Sequence, residues 1–308
     1  MVQNQNGQCA ARGTPGVAQC WTLEKSKREH PGRTAARLRR AVNGLNKPLT
    51  ACLNRTYEGR KPDKPRGCRV RFGTVNVGTM SKRSGEIVDM VARWKLDFCC
   101  VQETRWKGGS SRTMGKEGER YKFFWAGSDE RGLAGVGVLV AERWIDKVIE
   151  VRRVSERVMV LRVVVGKTVV NLVSMYAPQA GRGIEEKEEF YASMCVVLAG
   201  IDPREELIVG GDMNGHTGRK ADGFEEVHGG EGYGDRNMEG EMLLEFAVAM
   251  GLVVVNTWFR KDDKKKVTYE SGDCRTVTDY VLMRQCDRKR VKDVRVIQDE
   301  PCIPSINW

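Results

Sequence analysis

Apolar residues along this chain fall into two patterns, and the difference assigns the elements. Runs of about four to eleven residues, rich in β-branched and aromatic side chains and bounded by Gly, Pro, Asn or Asp, read as strands. They occupy 68–78, 96–101, 121–125, 136–140, 157–165, 168–176, 206–209, 252–256 and 276–283. Longer stretches repeat their apolar positions every three to four residues and read as helices over 81–95, 185–199 and 238–250. In the first of these, Ile87, Val88, Met90, Val91 and Trp94 share a face, and Ser84 is positioned as N-cap. The order is strand-helix-strand, then hairpins, then helix-strand, helix-strand and a last hairpin. Two mixed β-sheets packed face to face with helices outside bury these runs, so the expected fold is a four-layered α/β sandwich in one domain over 68–308.

Several strands end in a polar side chain rather than fading into a loop. Asn76 closes the first strand and Glu103 follows the second. Tyr176 precedes Ala177-Pro178 at the end of another, and Leu207-Ile208-Val209 runs through Gly210-Gly211 into Asp212-Met213-Asn214. The two glycines predict a sharp turn that sets Asp212 and Asn214 beyond the strand. Asp279 is expected inside the strand over 276–283, where a carboxylate needs a buried partner. Ligand groups in α/β sheets gather at the carboxyl ends of strands. If these ends share one edge, they form a small acidic pocket. Glu103, with an amide oxygen and a substrate phosphate, would suit Mg²⁺, which takes oxygen ligands and keeps several waters. The chemistry such a pocket fits is phosphate-ester hydrolysis, with a carboxylate placing the attacking water.

Charge changes the picture only at the N-terminus. Residues 1–67 carry 14 Lys/Arg against 4 Asp/Glu, a net of +10, whereas the remainder carries 38 against 37, a net of +1. This basic, Gly- and Pro-containing arm has little periodicity beyond a short helical pattern over 34–42. It reads as a disordered segment able to attract phosphate backbones by charge alone. The ten cysteines are scattered and include no Cys-x-x-Cys pair, and three histidines give no zinc-finger spacing. Reduced, structural thiols are expected. No run reaches the ~20 apolar residues of a membrane span and no secretory apolar core opens the chain, so the expectation is a nuclear or cytoplasmic protein without membrane contact. The glycines of 132–137 lack a following Lys-Ser/Thr and precede a strand, so they read as a turn and not as a phosphate loop.

Taken together, Thr74-Val75-Asn76-Val77-Gly78, Gln102-Glu103-Thr104, Tyr176-Ala177-Pro178, Gly211-Asp212-Met213-Asn214, Asn256-Thr257-Trp258, Tyr269-Glu270-Ser271 and Asp279-Tyr280 resemble the endonuclease/exonuclease/phosphatase superfamily. Residues 99–108 and 210–216 resemble the endonuclease domain of non-LTR retrotransposons. The resemblance covers about 68–302. It implies a Mg²⁺-dependent DNA-nicking hydrolase, with Mn²⁺ as a substitute ion, acting on DNA as a monomer; in a parent element a reverse-transcriptase region would accompany it. By position, Glu103 is the principal metal ligand and Asn76 assists it. Tyr176 and Asn214 hold the phosphate or leaving group, and Asp212 orients the water. Asp279 would orient a catalytic histidine.

The family places that histidine near its C-terminus, and here 296–308 contain none. The expectation is therefore a C-terminally truncated domain with impaired activity. His216 sits beside the site but is not expected to replace the missing ring, and His228, in a glycine loop, is expected at the surface. Gly78 stands where repair-type AP endonucleases carry Asp, which points away from that subgroup. Two alternatives accompany this reading: a catalytically dead nucleic-acid-binding remnant held by the basic arm, and a lipid or inositol phosphodiesterase of the same superfamily.

Overall fold

The computed structural model describes residues 69–271 and 274–297. The basic arm, its short helix and residues 298–308 lie outside the described residues. The first sheet has the order β1(Phe72–Asn76), β2(Phe98–Gln102), β5(Val136–Ala141), β4(Tyr121–Ala126), β3(Ser110–Met114). The second runs β12(Leu252–Val254), β15(Asp279–Arg284), β9(Glu206–Asp212), β8(Thr168–Tyr176), β7(Val158–Val165), β6(Val148–Ser155). β1 and β2 are parallel, joined through α1(Ser84–Arg93), and β8 and β9 are parallel, joined through α2(Ile184–Ala199). All other neighbours in the two sheets are antiparallel, so both sheets are mixed.

Alternation along each strand feeds two cores at once. In β2, Phe98 and Cys100 enter the layer between the sheets with Val138, Leu161 and Leu172. Cys99 and Val101 of the same strand face the other way, against Ile87, Val88 and Val91 of α1. In β8, Val173 and Met175 meet α2 and α3(Met238–Met250) on the outer face of the second sheet. Both faces of the central strands are covered, which is why they read as continuous apolar runs. The resulting helix, sheet, sheet, helix layers are the expected α/β sandwich.

Four local expectations change. Ser84 is the first helical residue and Arg83 holds the cap position, with no side-chain cap bond. Short pairs add to the expected strands: β10(Thr217–Gly218) with β11(Tyr233–Arg236), and β13(Tyr269–Ser271) with β14(Cys274–Thr276). β15 begins at Asp279, so that residue opens the strand instead of lying within it. Gly210 and Gly211 do not turn the chain, for β9 continues through both to Asp212. They are required by close approach: a Cβ on Gly211 would lie 1.8 Å from Met175 O of β8, and one on Gly210 would lie 2.8 Å from the Phe72 ring in the opposite sheet.

Candidate active site

Strand register brings the polar ends together. In the first sheet Asn76 pairs with Gln102, which delivers Glu103 one residue later at the same edge. In the second sheet Tyr176 pairs with Asp212, and Asp212 pairs with Asp279, forming one rung across β8, β9 and β15. Hydrogen bonds then join the sheets. Asn76 Nδ2 donates to Glu103 Oε1 and to Asp212 Oδ2, each at 2.9 Å. Tyr176 OH donates to the same Glu103 Oε1 at 2.9 Å. Residues separated by up to 136 positions thus share one cleft.

The loop carrying Glu103 holds an unusual backbone. Glu103 (φ 55°) and Arg105 (φ 54°) both adopt the left-handed region that side chains disfavour. Two backbone bonds hold it there: Thr104 N–H to Gly135 O and Arg105 N–H to Ala134 O, both 3.0 Å. Gly135 (φ +87°) is needed at that seam, since a Cβ would lie 2.4 Å from Thr104 Oγ1. Across the cleft, Asn214 (φ 49°) makes the turn that the glycines do not. Its backbone N–H donates to Asp212 Oδ1 (3.0 Å) and its Nδ2 donates to Ala177 O (2.8 Å), tying the Asp212 loop to the end of β8.

Three carboxylates within one cleft repel one another. Burial raises Asp212 above the usual carboxylate range; donors from Asn76 and Asn214 oppose this, and the Glu103 charge adds to it. Asp279 is raised further, by burial first and then by the Asp212 charge. Burial, with the charges of Glu103 and Asp212, also raises Tyr176, so its hydroxyl stays protonated and serves as a donor. Asp279 is the least satisfied of the group: Oδ2 receives Thr278 Oγ1 at 3.4 Å, and Oδ1 is buried without a partner.

No histidine ring bonds to Asp279 among the described residues. His216 lies two residues past Asn214, where its backbone N–H donates to Asn237 Oδ1 (2.8 Å). His228, expected at the surface, is 1% exposed. Its Nδ1 accepts from Gly230 N–H (3.0 Å), which leaves Nε2 to donate to Gly218 O (3.1 Å). Glycines let the surrounding backbone close over the ring: a Cβ on Gly232 would lie 2.9 Å from Nε2.

Two further residues belong to the site and were not singled out by the sequence. Arg105 pairs with Glu103 Oε2 at 2.9 Å, and Gln179 Nε2 donates to Tyr176 OH at 3.3 Å. Their proximity to Glu103 and to Tyr176-Ala177-Pro178 in the sequence was the available signal. No group of three His, Cys, Asp or Glu side chains forms a ready metal cage among the described residues. The donor set nonetheless fits a hard divalent ion held largely by water: the oxygens are carboxylate, and the Glu103 charge lies close enough to Asp212 to help raise it. Asn76 turns its nitrogen toward the carboxylates while its Oδ1 accepts from Gly78 N–H (2.9 Å), an arrangement that spaces Glu103 and Asp212.

No protein-family model matches the chain. Two craniofacial development protein 2 sequences, from Bos taurus and Tragulus javanicus, are each 24% identical over 245 residues. The match covers 78% of this chain but 40% and 42% of those proteins, so the chain spans less than half the length of the curated relatives it matches. Among solved structures, the endonuclease domain of TRAS1, a telomere-specific non-LTR retrotransposon, superposes with a TM-score of 0.53 at 17% identity, covering 76% of this chain and 93% of that one. The AP endonuclease of Leishmania major gives 0.50 at 14%, covering 81% and 91%. A Neisseria 3′ phosphatase bound to product DNA hairpin gives 0.50 at 14%, covering 73% and 90%. The chain thus shares the fold of these solved nucleases, two packed mixed sheets between outer helices.

Proposed function

We propose that this chain is a divalent-metal-dependent phosphodiester hydrolase that nicks one strand of DNA, of the type found in non-LTR retrotransposons. The observation that carries the reading is the pair of hydrogen bonds from Asn76 to Glu103 and Asp212, with Tyr176 completing the Glu103 contact, because it joins two carboxylates in one cleft between the sheets. Glu103 is the residue that would hold Mg²⁺ or Mn²⁺, with Asn76 assisting by orienting its carboxylate. The ion supplies charge stabilisation to the phosphate and the leaving oxygen. Asp212, held by Asn76 and by Asn214 N–H, orients the attacking water. The Asn214 amide, with one N–H on Ala177 O, serves a phosphate oxygen with the other, beside the Tyr176 hydroxyl that is held on Glu103.

Asp279 Oδ1 is where an imidazole belongs in this reading. An acid-base or charge-stabilising ring at that place contributes on the order of 10²–10⁴ in rate.

The test is a relaxation assay on supercoiled plasmid with Mg²⁺, run beside headgroup release from sphingomyelin and phosphoinositide vesicles. The proposal predicts Mg²⁺-dependent open circles, reduced by Glu103→Gln, and no lipid product. Lipid hydrolysis without nicking would replace DNA as the substrate class. Neither product, even on prolonged incubation with Mn²⁺, would leave DNA binding without cleavage.

A further inference from the structure

Behind the cleft, α2 and α3 are joined by an ion pair that the proposed chemistry does not use. Lys187 Nζ donates to Glu239 Oε1 at 2.7 Å, and the two side chains are 3% and 13% exposed. The same ammonium donates to Ala180 O, also at 2.7 Å, in the segment that leads from Tyr176 into α2. A buried ion pair loses the hydration of two charges and is often no more stabilising than apolar groups of equal volume. What it adds is direction, because both partners must meet in one geometry.

Each end of this pair reaches a segment that carries cleft residues. On the Lys187 side, Ala177 N–H donates to Asp212 O (2.9 Å), Ala177 O accepts from Asn214 Nδ2 (2.8 Å), and Gln179 donates to the Tyr176 hydroxyl (3.3 Å). On the other side, Glu239 belongs to the first turn of α3, which is seated on the chain just past Asn214. Asn237 Oδ1 accepts from Gly240 N–H as the helix cap and from His216 N–H, each at 2.8 Å. Backbone meets backbone there: a Cβ on Gly215 would lie 2.6 Å from the Glu239 carbonyl carbon, and one on Gly240 would lie 1.8 Å from His216 O. A shift of Glu239 therefore carries residues 214–216 with it, and Lys187 joins that shift to residues 176–180.

We propose that Lys187 and Glu239 are positioning residues: their ion pair is a strut that holds segments 176–180 and 212–216 at one spacing, so that Tyr176 and Asn214 face the same phosphate. This role in turnover rests on the hydrolase function proposed above, whereas the hold on the two segments is measurable without turnover. Neither residue touches the reacting atoms, and Glu103, on the other sheet, is outside the strut's reach.

Amide hydrogen exchange of the full chain, followed by NMR, tests the strut in Lys187→Met/Glu239→Leu, which removes both charges and keeps apolar bulk. Exchange at the Ala177, Asn214 and His216 N–H groups is expected to quicken about ten-fold or more while the amides of β7 keep their rates. The nicking rate at saturating DNA should fall by a similar factor, with Mn²⁺ affinity unchanged. Unaltered exchange at the three amides, equal acceleration throughout the chain, or a parent nicking rate retained beside accelerated exchange would each overturn the proposal. A parent that does not nick, with local exchange accelerated in the variant, removes the hydrolase and keeps the strut; a parent that nicks, with exchange unaltered in the variant, does the reverse. Should circular dichroism show the double variant unfolded, Glu239→Gln takes its place, since its amide oxygen still faces Lys187; local acceleration is again expected, and unchanged exchange contradicts the strut.

Discussion

Asp212 and Asp279 stand opposite one another as register partners on β9 and β15, so two carboxylates share a single rung. The Asp212 charge, after burial, is the largest influence raising Asp279, and Asp279 Oδ1 has no hydrogen-bond partner. A folded-state value above the unfolded one means that the native protein binds more protons, so this group's contribution to stability is present at low pH and lost as pH rises. Asn at position 279 has no charge to bury. Asp279→Asn is expected to gain stability over the parent as pH rises from 4 to 8, reaching roughly 1–3 kcal/mol, while nicking slows. Urea unfolding of both proteins across that range checks the first part; an advantage that shrinks with pH would contradict it.

Tyr176 acts on Glu103 through one hydroxyl. Tyr176→Phe keeps the ring, which packs in the layer between the sheets, and removes the bond to a charged acceptor together with the one accepted from Gln179. Such a bond contributes about 1.5–3 kcal/mol, so the nicking rate at saturating DNA is expected to fall roughly ten- to hundred-fold. Single-turnover kinetics on a nicking substrate provide the comparison, and thermal unfolding confirms that the fold is retained.

Gly211 has no room for a methyl group. Its Cβ would meet the Met175 carbonyl at 1.8 Å, a backbone atom that cannot yield without opening the parallel pairing of β8 and β9. Gly211→Ala is expected to cost at least about 3 kcal/mol. Gly210→Ala, facing the edge of the Phe72 ring at 2.8 Å, should cost less because a side chain can move. Chemical denaturation of the pair measures the order, and equal losses would show that β8 shifts more readily than the register implies.

The strand ends of the site were readable because each ends a buried apolar run: Asn76, Glu103, Tyr176 and Asp212 are polar residues placed where the run stops. The layers were readable for the same reason, since continuous runs need both faces covered. Contacts made at long range were not. The sequence shows Gly210-Gly211 as a turn signal, whereas their need arises from β8 and Phe72, which approach only in the folded chain. The burial of His228 was hidden likewise, because its glycine-rich neighbourhood looks solvent-exposed until the 254–258 segment and β10 close over it. Val254 N–H donates to Val227 O at 2.9 Å, and Gly229 N–H donates to Thr257 Oγ1 at 2.9 Å. The start of β15 at Asp279 depends on Thr268, whose Oγ1 accepts from the N–H groups of Thr278 (3.0 Å) and Asp279 (3.3 Å).

His228 supplies a pH dependence of the opposite sign. Burial lowers it from 6.5 to about 4, so the unfolded chain binds more protons between those values and stability falls as pH drops through them. The displacement corresponds to roughly 3 kcal/mol, with His216, also lowered by burial, acting in the same direction. His228→Gln, which can accept from Gly230 and donate to Gly218, is expected to flatten the slope between pH 6.5 and 4. Denaturation midpoints at both pH values test this, and an unchanged slope would place the acid sensitivity elsewhere.

Everything proposed for the cleft requires Glu103 to be the anchor of a divalent ion. Electron paramagnetic resonance of Mn²⁺, titrated into the parent and into Glu103→Gln, reads that property without depending on turnover. The account predicts one Mn²⁺ per parent chain and an affinity lower by about ten-fold or more in Glu103→Gln, the loss expected when a charged ligand becomes neutral. Equal binding by the two proteins, or no stoichiometric binding by the parent, would contradict it.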